Sequence, residues 1–142
     1  MNSISAFVGI AKNNTTKGVY SLSVYAGGSV KTFPPKFVYA INKVTDHFIV
    51  LSALLDFLEG VNESDLEDTD LVFYSNNDKV KEEWKVFSES GKLSAAIPDI
   101  DLWDKIISLA KGRLTIKGTD SKLIKINNLQ DEKMKTALKG RR

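Results

Sequence analysis

Apolar and polar positions alternate most strictly in VYSLSVYA (19–26), the two-residue period of a strand with one face on a core. The preceding SISAFVGIA (3–11) alternates weakly and reads as a first strand, and the polar KNNTTKG between them predicts a hairpin turn. GGSVKTF (27–33) supplies a glycine turn and a short third strand, which Pro34 and Pro35 end because proline cannot donate to a ladder. The period then changes. TDHFIVLSALLDFLEG (45–60) places Phe48, Leu51, Leu55 and Leu58 at helical spacing, with Asp46 as the expected N-cap and Gly60 as the expected stop.

LVFY (71–74) is a continuous apolar run, which suits a central strand covered on both faces. Asn77 is placed to cap a helix over 78–87, with Glu82 and Glu83 near its positive end. SESGKLSAAIP (88–98) reads as a loop, and DIDLWDKIISLAKG (99–112) as a helix with Trp103, Ile106, Ile107 and Ala110 on one face and Gly112 at its close. RLTIKGT (113–119) is a further strand. A weakly amphipathic stretch from Asn128, through Met134, Ala137 and Leu138, predicts a final helix fraying into the basic tail 139–142. The expected order is βββαβααβα in one domain spanning 1–142, long enough to bury a core without metals or disulfides.

Composition removes several kinds of chemistry. The absence of cysteine excludes disulfides, thiolate zinc sites and a cysteine nucleophile, and suits a reducing, cytoplasmic compartment. No segment approaches the roughly 20 apolar residues that span a bilayer, and the N-terminus lacks a signal pattern, so a soluble chain with no membrane partner is expected. The net charge of +2 is too small to argue for nucleic acid, but its sign is uneven: NESDLEDTD (62–70) is acidic and KMKTALKGRR (133–142) basic. No Gly-rich phosphate loop is present, and no small-molecule cofactor is expected.

The order of elements, together with VFYSNNDKV (72–80), DLWDKI (101–106) and TIKGT (115–119), resembles ribonuclease HI across nearly the whole chain. In that family the central strand ends in Thr-Asp-Ser followed by Tyr-Val, a helix opens with Asp-Leu-Trp, and a late strand turns through Val-Lys-Gly-His. The resemblance implies an α/β fold: a five-stranded mixed sheet, three strands antiparallel, flanked by helices. It also implies four carboxylates holding two divalent ions for phosphodiester hydrolysis, and hard oxygen donors are what magnesium requires.

Carried over position by position, the family's first acid falls at Val8 or Gly9, its helical glutamate at Val50, its central aspartate at Asn76 and its last aspartate, at the start of the final helix, at Asp131. Thr119 stands where the family has a mobile histidine. With three of four acids absent, the resemblance implies a degenerate site with no bound metal and no catalytic residue. It points to a binding module for structured nucleic acid or for a host protein complex, of a kind that would suit a phage or mobile-element regulator. The alternative is an active enzyme in which Asp46 and Asp78, neighbours of the lost positions, relocate the site and Mg²⁺ is required.

The strand-end polar residues Asn13, Asn14, Asn76, Asn77, Lys117, Thr119 and Lys122 are candidate contacts for phosphate and ribose. Trp84 joins them because the family places a tryptophan near there in a substrate-tracking region, although the basic protrusion that normally follows is replaced by the nearly neutral VFSESGKLSAAIP (86–98). Both Trp84 and Trp103 also sit at helical core spacing. His47, the single histidine, lies in the first turn of a helix, where a surface or capping role is expected.

Overall fold

The computed structural model describes residues 3–13, 16–41, 43–63, 69–94, 96–119 and 121–140. They form β1 (Ser3–Lys12), β2 (Lys17–Ala26), β3 (Ser29–Thr32), β4 (Lys36–Tyr39), α1 (Asp46–Glu63), β5 (Asp70–Tyr74), α2 (Asp78–Ser90), α3 (Ile100–Ala110), β6 (Leu114–Lys117) and α4 (Ser121–Gly140). The sheet runs β3-β2-β1-β5-β6, with β4 also paired to β2. β2 is antiparallel to β1, β3 and β4, while β5 is parallel to both β1 and β6.

The weak alternation of β1 has a physical cause, because helices cover both of its faces. Ile4, Ala6 and Val8 join the main core with α1, whereas Ala11 packs with Val19 and Met134 on the α4 side. Gly9 lies directly under α4: a Cβ there would stand 2.4 Å from the Gln130 Cβ and within 2.9 Å of its backbone. A strand buried on both sides carries apolar residues at successive positions, so the two-residue period fades.

The edge beside β2 departs from the expected three-strand meander. β3 pairs with residues 23–26 of β2 and β4 with residues 17–20, so the two form one lane interrupted at Phe33-Pro34-Pro35. Opposite the break, Phe33 N–H donates to Leu22 O at 2.8 Å and the Ser21 hydroxyl donates to Phe33 O at 2.7 Å. The prolines thus interrupt the lane without ending it, as an edge strand permits.

Helix boundaries also move. Thr45, not Asp46, caps α1, its hydroxyl accepting from Phe48 N–H at 3.1 Å, and α1 continues past Gly60 to Glu63. Its fully buried side chains include Ile49, Leu51, Leu54 and Leu58, while Phe48 and Leu55 are only half-buried. Sheet and α3 both pack on α1, which widens its apolar face beyond a single stripe. α4 begins at Ser121 rather than Asn128 and reaches Gly140; Arg141 and Arg142 of the expected tail lie outside the described residues.

The close approach of α4 to β1 makes Gly9 a test of this packing. Gly9→Ala is expected to lower the unfolding free energy by about 1–3 kcal/mol through overpacking. Gly60→Ala, inside α1 with nothing within 4 Å of the added Cβ, is expected to raise it by up to about 1 kcal/mol. Urea unfolding of both variants measures the contrast.

Candidate functional site

The pairing of β5 with β1 ends at Phe7↔Tyr74, yet β1 continues to Lys12. Backbone groups on that edge of β1 therefore need other partners. α4 supplies them: Asn127 Nδ2 donates to Val8 O, and Asp131 Oδ1 accepts from Ile10 N–H at 2.8 Å. Their four-residue spacing puts both side chains on one helical face, in step with alternate residues of the strand.

A cleft of about 320 Å³ opens at this end of the sheet, lined by Val8 and Ile10, by Asp46 and Val50 of α1, by residues 75–78, and by Asn127 and Asp131. Of the two positions left open for the first acid, Val8 lines the cleft and Gly9 faces α4. Asp131 sits in the second half of α4, not at its start as expected, because the helix begins earlier. Burial pushes the Asp131 carboxyl above its usual range; the Ile10 N–H and Lys135 oppose this, while Asp46 and Glu132 add to it.

The two asparagines after β5 have separate tasks. Asn77 caps α2, its Oδ1 accepting from Val80 N–H at 2.9 Å. Asn76 Oδ1 accepts from Thr119 N–H at 3.2 Å and from the Thr119 hydroxyl, tying the end of β5 to the turn after β6. Lys12 approaches Asp46 at 4.0 Å and Lys81 pairs with Asp78 at 3.3 Å. The Lys81 ammonium also lies beside Gly118, and Lys117 is exposed at the end of β6.

The other sequence candidates fall elsewhere or outside the described side chains. Asn13 closes its own hairpin, its N–H donating to Lys17 O at 3.0 Å and its Oδ1 accepting from Lys17 N–H at 3.1 Å. Trp84 is half-buried and stacks on buried Trp103, with ring centroids 5.9 Å apart. Asn14 and the side chain of Lys122 lie outside the described residues.

His47 corrects the expectation of a surface role. It is buried, with Nε2 2.6 Å from Glu83 Oε1 and Nδ1 2.7 Å from Asp99 Oδ2. Trp103 Nε1 donates to the same Glu83 oxygen at 2.8 Å. The cluster joins α1, α2 and the entry to α3, and Asp99 is in the left-handed region at φ 60° with its carboxylate turned to His47 rather than capping α3. Sequence reading missed it because the partners are 36 and 52 residues from His47. Asn127 was missed for a related reason: a polar side chain that bonds a strand edge leaves no mark on an apolar period.

The cleft does not fit the pair of divalent ions implied by the sequence resemblance. Val8 and Val50 offer no donor, Asn76 Oδ1 is already engaged by Thr119, one oxygen of Asp131 accepts from the Ile10 N–H, and Asp46 and Asp78 stand beside Lys12 and Lys81. Among the described residues, no group of three or more His, Cys, Asp or Glu side chains is arranged to hold a metal ion. No described helix is long and apolar enough to cross a membrane.

A mixed sheet in this strand order, with helices on both faces, defines a ribonuclease H-like α/β fold, and known structures bear this out. LC11-RNase H1, solved in complex with an RNA/DNA hybrid, matches with a TM-score of 0.65 at 14% identity over 95% of this chain and 99% of that one. LC9-RNase H1 matches with a TM-score of 0.66 at 11% identity, over 100% of this chain and 74% of that one. The N-terminal RNase H domain of a Mycobacterium tuberculosis protein matches with a TM-score of 0.61 at 14% identity, over 99% and 96%. No family model and no curated protein matches the chain.

Two substitutions test this description. His47→Gln can serve only one of buried Glu83 and partly exposed Asp99 and is expected to cost about 1–3 kcal/mol of stability, read from urea unfolding. For Asp131 the folded pKa lies above the ordinary value, so its contribution to stability is complete below the usual carboxylate range and is lost as pH rises through the folded pKa. Asp131→Asn keeps an acceptor for Ile10 without the charge. It is expected to be more stable than the parent at about pH 7, with the advantage shrinking towards about pH 4.

Proposed function

We propose that this chain is a non-hydrolytic ribonuclease H-like module that binds nucleic acid across the open end of its sheet. One observation supports the reading: at the strand-end cleft, the positions to which the sequence resemblance carries the family's acids are apolar or tied into the protein's own hydrogen bonds. Val8 and Val50 are apolar, and Asn76 and Asn127 bond Thr119 and the β1 backbone. Phosphodiester hydrolysis by two ions needs carboxylates free to take the charge. Binding needs only cations and donors at the rim. Lys12, Lys81 and Lys117 supply the cations there, and the Thr119 turn adds hydroxyl and amide groups. The likeness to a ribonuclease H solved with an RNA/DNA hybrid supports nucleic acid as the partner class.

A second reading has its own observation. Asp46, Asp78 and Asp131 all line the one cleft. An enzyme with relocated acids would cleave an RNA/DNA hybrid with Mg²⁺ or Mn²⁺ and lose that activity in Asp131→Asn. Against it, Lys12 and Lys81 lie beside two of these acids and a backbone N–H bonds one oxygen of the third.

Fluorescence anisotropy with a labelled RNA/DNA hybrid and a structured RNA separates these readings. The expected result is binding that weakens with salt, no cleavage with either ion, and a log–log salt slope reduced by about 1 in each of Lys81→Ala and Lys117→Ala. Cleavage would establish the enzyme. Absence of binding at low salt would overturn the nucleic-acid reading in favour of a protein partner.

A further inference from the structure

A second concavity lies on the α1 side of the sheet, away from the strand-end cleft. It measures about 310 Å³ and is formed by Ile4, Leu22, Val24, Phe57, Gly60 and Val61, with Lys36 and Asp56 at its polar end. Its volume falls at the lower limit of small-molecule sites, and its walls have the expected composition: apolar, with a few convergent polar groups. Ile4, Leu22, Phe57 and Val61 are core residues, so the cavity opens directly onto the main apolar cluster.

Gly60 is the informative wall. It sits within α1, where glycine costs up to about 1 kcal/mol relative to alanine. No close packing requires it, since an added Cβ would meet nothing within 4 Å. A side chain there would stand in open space beside the cavity.

The polar end is an ion pair with a hydroxyl donor beside it. Asp56 Oδ2 accepts from the Tyr20 hydroxyl at 3.0 Å and from Lys36 Nζ at 2.9 Å. Burial, then Asp56 and Glu59, hold the Tyr20 hydroxyl protonated, so it remains a donor. The cavity's polar end therefore carries one carboxylate, Asp56, paired with one ammonium, Lys36. The Lys36 side chain is 58% exposed and free to turn into solvent, whereas the Asp56 side chain is only 31% exposed. A cation entering from the cavity can take the Lys36 place on the less exposed Asp56; an anion drawn to Lys36 would stand beside that carboxylate.

We propose that this cavity binds a small amphipathic amine, its apolar body against Leu22, Phe57 and Val61 and its ammonium on Asp56 in place of Lys36. The site is independent of the nucleic-acid reading and survives its failure.

The test uses three probes of one shape and different heads: phenylbutylamine, phenylbutanol and phenylbutyrate, titrated against the full chain and followed by amide NMR. Shifts confined to Val24, Phe57, Gly60 and Val61 are expected, with the amine about fivefold tighter than the alcohol, the worth of one partly exposed charge pair. The carboxylate is expected to bind most weakly. Gly60→Leu, which replaces a helical glycine in open space, should keep or raise the melting temperature and lose binding. Asp56→Asn should reduce the amine's preference over the alcohol to near unity while both still bind. Tightest binding by phenylbutyrate, shifts outside the cavity, or undiminished amine binding in Gly60→Leu would each overturn the proposal.

Discussion

The mismatch in length between β1 and β5 governs much of the molecule. A parallel neighbour that stops at Phe7↔Tyr74 leaves several residues of β1 with an open edge, and buried backbone groups without partners are costly. The chain meets that need with α4, whose Asn127 and Asp131 stand in for a strand. For the helix to reach so close, position 9 must lack a side chain, and Gly9 provides that. Gln130 then reaches the Ser23 hydroxyl at 2.6 Å, and Met134 packs on Ala11 and Val19. One unpaired edge thus fixes the helix, its register and the wall of the cleft.

That arrangement also limits what the cleft can do. A carboxylate that accepts a backbone N–H and is half-buried has given up part of its capacity to hold a cation. Asn76 is similarly engaged, since its oxygen joins the ends of β5 and β6 through Thr119. An aspartate at 76 would accept the same bonds but add a negative charge to a cleft that already contains Asp46, Asp78 and Asp131. In the absence of a cation the amide avoids that repulsion and keeps the hydrogen bonds.

The parts of this fold that were legible in the sequence are those whose signal is local. Strict alternation marks β2, the apolar run marks β5, and Asn77 followed by a charged helix gives the α2 cap at the expected position. The early start of α4 was not legible, because in its buried face Asn127 and Gln130 take places that a pattern search reserves for apolar residues. β4 was hidden by a rule applied too strictly: two prolines forbid a continuous central strand, but an edge lane can break and resume. The positions of Val50 and Asn76 around one cleft were readable from the resemblance. The choice between Val8 and Gly9 depended on which face of β1 each occupies, and weak alternation does not reveal that.

His47 illustrates the same limit and adds a link between core and cleft. α2 is held at two places: by the Asn77 cap at its start, and by Glu83, buried one and a half turns later against His47 and Trp103. Asp78, which lines the cleft, and its partner Lys81 lie between those two anchors. A rigid helix fixed at both points has little freedom to tilt, so the buried cluster sets where the rim charges stand. The position of Lys81 beside Gly118 therefore depends on a histidine on a different helix, and the rim of the cleft inherits its geometry from the core.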